Sequence, residues 1–258
     1  MDGLDLTPFL TGFLVFSRMA AMLMALPQTG SRGVPRIIRM GVALPLSAVL
    51  YPTVEGAAIP SRLPDMLVSG VSEVALGVSM GFVLSLMVGA VALASEIITI
   101  KIGLNMAGML DPMTGTHGSA LGALAQCLAT GLFFGLDLHL GCVRALGESL
   151  HTLPPGHILH PLAAGNVIFE VASNVLILGV RLAGPLVFFA FLVNLALMVL
   201  GRMAPGLQLF FAIGPSFTII AGILLLGAAL PALLHVEAGT LAGAWAPIRA
   251  IVSGMGGG

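Results

Sequence analysis

Residues 73–96 read EVALGVSMGFVLSLMVGAVALASE, two glutamates enclosing 22 uncharged residues. A membrane-crossing helix needs about 20 mostly apolar residues, and this stretch supplies them without a break. Outward from it the charges keep acting as punctuation. Between Asp111 and Asp137 lie 25 uncharged residues, between Arg181 and Arg202 lie 20, and Met203 to Val236 holds 34 with no formal charge. Six main hydrophobic segments result, roughly 8–27, 37–54, 66–95, 119–147, 167–200 and 207–234. The stretch 97–110 is also apolar but short, which suits a re-entrant segment or a half-helix.

Composition points the same way. Hydrophobic residues make up 58% of the 258 residues, and the 34 glycines bring apolar plus glycine to roughly 71%, while charged residues are 8%; a soluble domain has about 45–50% apolar plus glycine and about 25% charged. Too little polar surface remains to cover a soluble fold of this length. One Trp and one Tyr cannot build aromatic girdles, and the runs lack dyad alternation, so a β-barrel is excluded as well. The expected fold is an all-α integral membrane protein of about six long, kinked hydrophobic helices arranged as hairpins. The net charge of −1 offers no footprint for nucleic acid. Cys127 and Cys142 would be about 22 Å apart on one continuous helix, beyond disulfide reach, and read as apolar fillers. Met1-Asp2-Gly3-Leu4-Asp5 is acidic where a signal peptide is cationic, so the first apolar run is expected to stay as a membrane segment. Arg32, Arg36 and Arg39 place the loop after it on the cytoplasmic side.

The third segment carries small residues every fourth position, Gly77, Gly81, Ser85 and Gly89, with Glu73 one step earlier. Steps of four advance 400°, so this stripe drifts only about 40° per step. Small side chains at that spacing let helix backbones approach closely in a membrane, and the stripe is expected to be a packing and assembly seam. Gly118/Gly122 and Gly131/Gly135 repeat the spacing. Pro45, Pro185 and Pro215 fall inside apolar segments, each removing a backbone donor. Intramembrane polar residues mark function by default. Glu73, Glu96, Glu170 and Arg181 stand near segment ends, where snorkelling relieves much of the cost, while Asn194 lies deep in the fifth segment and needs a hydrogen-bonding partner. No carboxylates stand at mid-depth in a pattern that would relay protons.

The polar loop SLHTLPPGHILHP, 149–161, contains His151, His157 and His160 without an acidic or cysteine ligand. It reads as solvated loop, not as a metal site. No nucleophile elbow, phosphate loop, zincin motif or dinucleotide turn occurs, so neither an enzyme nor a bound cofactor is expected. A secondary transporter acting alone is the competing class; it calls for inverted repeats with matching broken helices, and none is evident.

Three stretches resemble the flagellar biosynthesis FliR family and its type III secretion counterparts. The first runs from Phe16-Ser17-Arg18 through Pro27, then Gly30-Ser31-Arg32, Pro35 and Arg39-Met40-Gly41. The second runs from Glu96 through Gly103-Leu104-Asn105-Met106 to Asp111-Pro112 and Gly115. The third comprises Leu182 to Pro185, Asn194, Arg202 to Phe210 and Gly214-Pro215. The chain departs from the family pattern at Gly206 and at Leu138, before His139.

That resemblance implies a structural export-gate subunit in the bacterial inner membrane, multi-pass, at the flagellar basal body. It implies assembly with FliP-like and FliQ-like subunits, neighbouring FlhB-like and FlhA-like components, and passage of unfolded flagellar subunits through a central pore within membrane lipid. It implies one FliR-like domain, 1–258, with a FliP-like part, 1–155, and a FliQ-like part, 156–258. It also implies that the segment holding Met106, Gly108, Met109, Leu110, Asp111, Pro112, Met113 and Gly115 plugs the closed pore. Glu73, Gly77, Gly81, Ser85, Gly89, Asn194, Arg202 and Pro205 are the expected packing and assembly residues. An injectisome gate is the sister reading; the Gly-Ser-Arg and Asp-Pro stretches lean flagellar.

Overall fold

The structure, a computed structural model, describes residues 6–26, 35–54, 56–57, 59–60, 62–102, 120–157, 161–203 and 208–256. Among these residues there is no strand, and eight α-helices follow one another: α1 Thr7–Ala25, α2 Arg36–Leu50, α3 Leu63–Ile102, α4 Ala120–Gly135, α5 Leu138–Thr152, α6 Pro161–Met203, α7 Gln208–Ala242 and α8 Trp245–Gly256. A single 3₁₀ turn, Tyr51–Thr53, extends α2. Among the described residues three helices are long and apolar enough to cross a membrane, over Thr7–Ala25, Leu63–Lys101 and Ala164–Met203. The all-α membrane architecture expected from the sequence is present.

The chain forms two compact units. One comprises residues 1–87, 133–173 and 240–258; the other comprises 88–132 and 174–239. Several helices run through the boundary, so α3 and α6 each contribute to both. In the first unit α1 and α2 form an antiparallel hairpin, with the end of α2 returning to the start of α1, where Tyr51 lies 3.8 Å from the Cβ position of Gly12. In the second unit, Ala94, Ile98, Ala183, Leu186 and Leu233 bury together, flanked by Ile97, Leu182 and Val187. A side chain at Gly179 would meet Leu93 and the Ala90 carbonyl, so α6 passes close to α3 there. Pro45 lies inside α2 and Pro185 inside α6.

Four boundaries differ from the sequence reading. The expected segment 119–147 is two helices, because Asp137 adopts left-handed geometry at φ 55° and restarts the chain as α5. Its carbonyl then accepts from the amides of Leu140 and Gly141. Hydropathy misses this break because Leu136 and Leu138 on either side are apolar. The expected polar loop is shorter than its composition suggests: α5 runs through His151 to Thr152, and α6 begins at Pro161. Residues 97–102 continue α3 as ordinary helix, and 103–110 lie outside the described residues.

The C-terminus differs most. Glycine richness suggests fraying from Ser253 onward, yet α8 is helical to Gly256. Ile248, Ile251, Val252 and Met255 recur at helical spacing and are all buried, which anchors the helix. Gly141 of α5 faces the Trp245 ring, and Gly256 faces Leu153, so α8 lies parallel to α5. A Cβ at Gly141 would run into the indole. Gly141→Val should therefore expel the ring, red-shifting and quenching the emission of the chain's single Trp. Unchanged emission would show that α8 does not dock on α5.

Candidate functional site

Among the described residues, a dense polar arrangement lies where α1 and α3 meet in the first unit. Arg18, in the interior of α1, and Glu73, one helical turn before the small-residue stripe of α3, are both fully buried. Arg18 Nε donates to Glu73 Oε2 at 2.5 Å. The two terminal nitrogens reach the end of α5: Nη1 donates to the Ser149 carbonyl and hydroxyl, both at 3.1 Å, and Nη2 to the Leu153 carbonyl at 3.0 Å. The second Glu73 oxygen, Oε1, accepts from the Gly156 amide at 3.2 Å. Gly156 sits at φ 97°, a conformation open to glycine and strained for other residues. It closes the corner after Pro154-Pro155 that aims its N–H at the carboxylate.

Every oxygen of the carboxylate and every nitrogen of the guanidinium is thus engaged. A buried pair contributes little net stability when complete, because desolvation offsets attraction. Removing one partner strands a charge and costs on the order of 3–5 kcal/mol. The sequence places Glu73 near a segment end, relieved by snorkelling; the structure corrects this. Glu73 is sealed from solvent and compensated by Arg18. Its carboxylate is neutralised in place, which suits a structural tie better than a proton relay.

Small residues let the two helices come close enough for that pair to form. A Cβ at Gly77 would overlap the Arg18 carbonyl and lie 2.9 Å from the Ala21 methyl. One at Gly81 would lie 2.5 Å from the Met22 carbonyl and 2.7 Å from the Ala25 methyl. Ser85 donates its hydroxyl to the Ala25 carbonyl. Contacts advance together along both helices, so α1 and α3 run parallel. Gly89, the fourth member of the stripe, has nothing within 4 Å of its Cβ position. Three members of the stripe thus face a helix of the same chain, and the fourth meets no side chain or backbone among the described residues.

The remaining expected site residues are scattered. Asn194 is exposed on α6, where the sequence reading asks for a hydrogen-bonding partner; among the described residues it has none. Arg202 is exposed at the end of the same helix. Met106, Gly108, Met109, Leu110, Asp111, Pro112, Met113, Gly115 and Pro205 lie outside the described residues. His151 and His157 are exposed, His157 Nδ1 donating to the Pro154 carbonyl at 2.9 Å, and no metal-holding group of His, Cys, Asp and Glu occurs among the described residues. Sequence reasoning misses Arg18, Ser149 and Gly156 as members of one cluster. The available signal is Arg18 itself, a charge in the interior of an otherwise apolar helix, which demands a buried counter-charge.

Long apolar helices, close small-residue packing and a fully compensated buried ion pair define a helical membrane protein whose polar centre ties helices together. The chain matches the family described as bacterial export proteins, family 1, over residues 9–243, and it belongs to that family. It is 30% identical over 225 residues to the flagellar biosynthetic protein FliR of Caulobacter vibrioides, covering 86% of this chain and 89% of the relative. It is 30% identical to the FliR protein of Escherichia coli K12 over 214 residues, 83% of this chain and 82% of the relative. Similarity extends to the Yop proteins translocation protein T of Yersinia pestis, at 28% over 225 residues, 84% and 85% of the two chains.

Proposed function

We propose that this chain is a non-enzymatic pore and gate subunit of a flagellar type III export apparatus in the bacterial inner membrane. In this reading it assembles with FliP-like and FliQ-like subunits at the basal body. FlhB-like and FlhA-like components lie alongside, and unfolded flagellar subunits pass through the assembled pore. The observation that carries the proposal is the match to an export family over nearly the whole chain, residues 9–243. The FliR relatives at 30% identity support the flagellar assignment.

Within this reading Asn194, Gly89 and Arg202, which have no partner among the described residues, become assembly residues. Asn194 exposes an amide on a helix otherwise lined by Phe188, Phe191, Leu195 and Met198. Facing hydrocarbon, that amide goes unsatisfied; facing a neighbouring subunit, it is bonded. Gly89, Arg202 and Pro205 join it as proposed contacts, and the Met106–Gly115 segment is the proposed plug. A FliP-like part, 1–155, followed by a FliQ-like part, 156–258, remains the proposed internal division.

An in-frame deletion of the gene should abolish flagellar filaments and motility, and the wild-type chain supplied from a plasmid should restore both. Normal filament formation in the deletion strain would refute the flagellar reading. The similarity to the Yop translocation protein T favours one second reading, an injectisome gate. Its signature is loss of effector secretion with motility intact.

A further inference from the structure

Arg18 occupies an awkward place. It sits in the interior of α1, a 19-residue helix of bare spanning length, and its side chain is wholly buried. Alone in a bilayer, a helix with arginine there is a poor span, because a charge near the hydrocarbon centre is expensive to leave uncompensated. α3 does not share this weakness. Before α3 packs against α1, the 22 uncharged residues after Glu73 can cross the hydrocarbon by themselves with Glu73 at the interface. The dependence is therefore one-sided.

The groups that compensate Arg18 also come late in the chain. Glu73 follows it by 55 residues, Ser149 by 131 and Leu153 by 135. When α1 leaves the ribosome, none of its partners exists. Gly77 and Gly81 allow α3 to close on α1 at van der Waals range, and the corner ending at Gly156 then seals the cluster through the second Glu73 oxygen.

We infer that α1 is a conditional membrane span: its place in the bilayer is secured by Glu73 and completed only when residues 149–156 fold against Arg18. The pair thereby couples membrane insertion of the first helix to synthesis and folding of the first 156 residues. A chain that stalls or misfolds before that point leaves α1 unsecured. The inference rests on the membrane-spanning fold and does not depend on what the assembled protein transports.

Cysteine accessibility in the full-length chain tests this. Phe13→Cys places a reporter on an exposed position of α1, in a Cys127→Ala, Cys142→Ala background, and inside-out membrane vesicles, whose outer face is the cytoplasmic one, are treated with a membrane-impermeant maleimide. The reporter should be protected in the parent. Glu73→Gln keeps a hydrogen-bonding group but leaves Arg18 without its counter-charge, and labelling should rise severalfold. Arg18→Leu makes α1 a competent span by itself, so the reporter should stay protected even though the cluster is broken. Arg18→Leu combined with Glu73→Leu should keep protection and restore protein yield. A pair that merely stabilises the finished fold predicts equal exposure in both single variants. That result, protection in Glu73→Gln, or strong labelling in the double variant would each overturn the inference.

Discussion

Gly81→Leu should yield almost no folded chain, and Gly77→Leu should fail in the same way. At both positions the first carbon of a side chain would meet a backbone carbonyl of α1, at Met22 and Arg18 respectively. Backbone cannot swing aside as a side-chain tip can, so the helices must separate. Overpacking a core costs about 1–3 kcal/mol when neighbours can adjust. Here separation also pulls Glu73 from Arg18 and adds the cost of a stranded buried charge, on the order of 3–5 kcal/mol. The combined loss approaches the whole stability of a typical domain, about 5–15 kcal/mol. Gly89→Leu separates fold from assembly, because its Cβ position is open among the described residues. We expect Gly89→Leu to accumulate normally while co-purifying poorly with FliP-like subunits. The measurement is membrane yield beside co-purified partner. Normal yield from Gly81→Leu would refute the seam between α1 and α3, and normal co-purification of Gly89→Leu would refute an intersubunit role for that position.

Deletion of Gly108 to Gly115 should leave the complex assembled but leaky. The segment joins glycines to Met106, Met109 and Met113, and a flexible thioether adapts to an irregular opening where a rigid lid would not. Asp111 precedes Pro112, which biases it away from helical geometry and favours a turn. A plug built this way can pack against ions yet yield to an arriving chain. Cells producing the deleted form should lose membrane potential and grow slowly, with assembly checked by co-purification from the same cells. A complex that forms normally and holds its potential would show that these residues are not the plug.

Much of the fold is legible in the sequence because bilayer thickness sets helix length. The uncharged run after Glu73 and the one between Arg181 and Arg202 fall inside α3 and α6 as expected. What hydropathy does not carry is local backbone geometry. Asp137 turns the chain between two leucines, and no composition average registers one residue at positive φ. Glycine misleads in α8, where four buried apolar side chains outweigh a weak local preference.

The candidate site was legible in half. Small residues every fourth position predicted a close approach, and Gly77 and Gly81 make one, though to α1 of the same chain. The counterpart of Glu73 leaves no periodic trace in the sequence, because the pair is 55 residues apart. Charge compensation within a membrane supplies the missing rule: Arg18 inside α1 and Glu73 at the start of an apolar run are buried charges that pair with each other.

Whether this chain is an export-gate subunit is tested most directly by isolating it, tagged and at native level, from membranes of the organism that encodes it. Proteins retained in mild detergent are then identified by mass spectrometry. The export-gate reading predicts that FliP-like and FliQ-like subunits elute with the chain as one discrete complex, and that the chain expressed alone is unstable or polydisperse. Recovery of the chain by itself, stable and monodisperse, with neither partner present, would contradict that reading and favour a transporter that works alone.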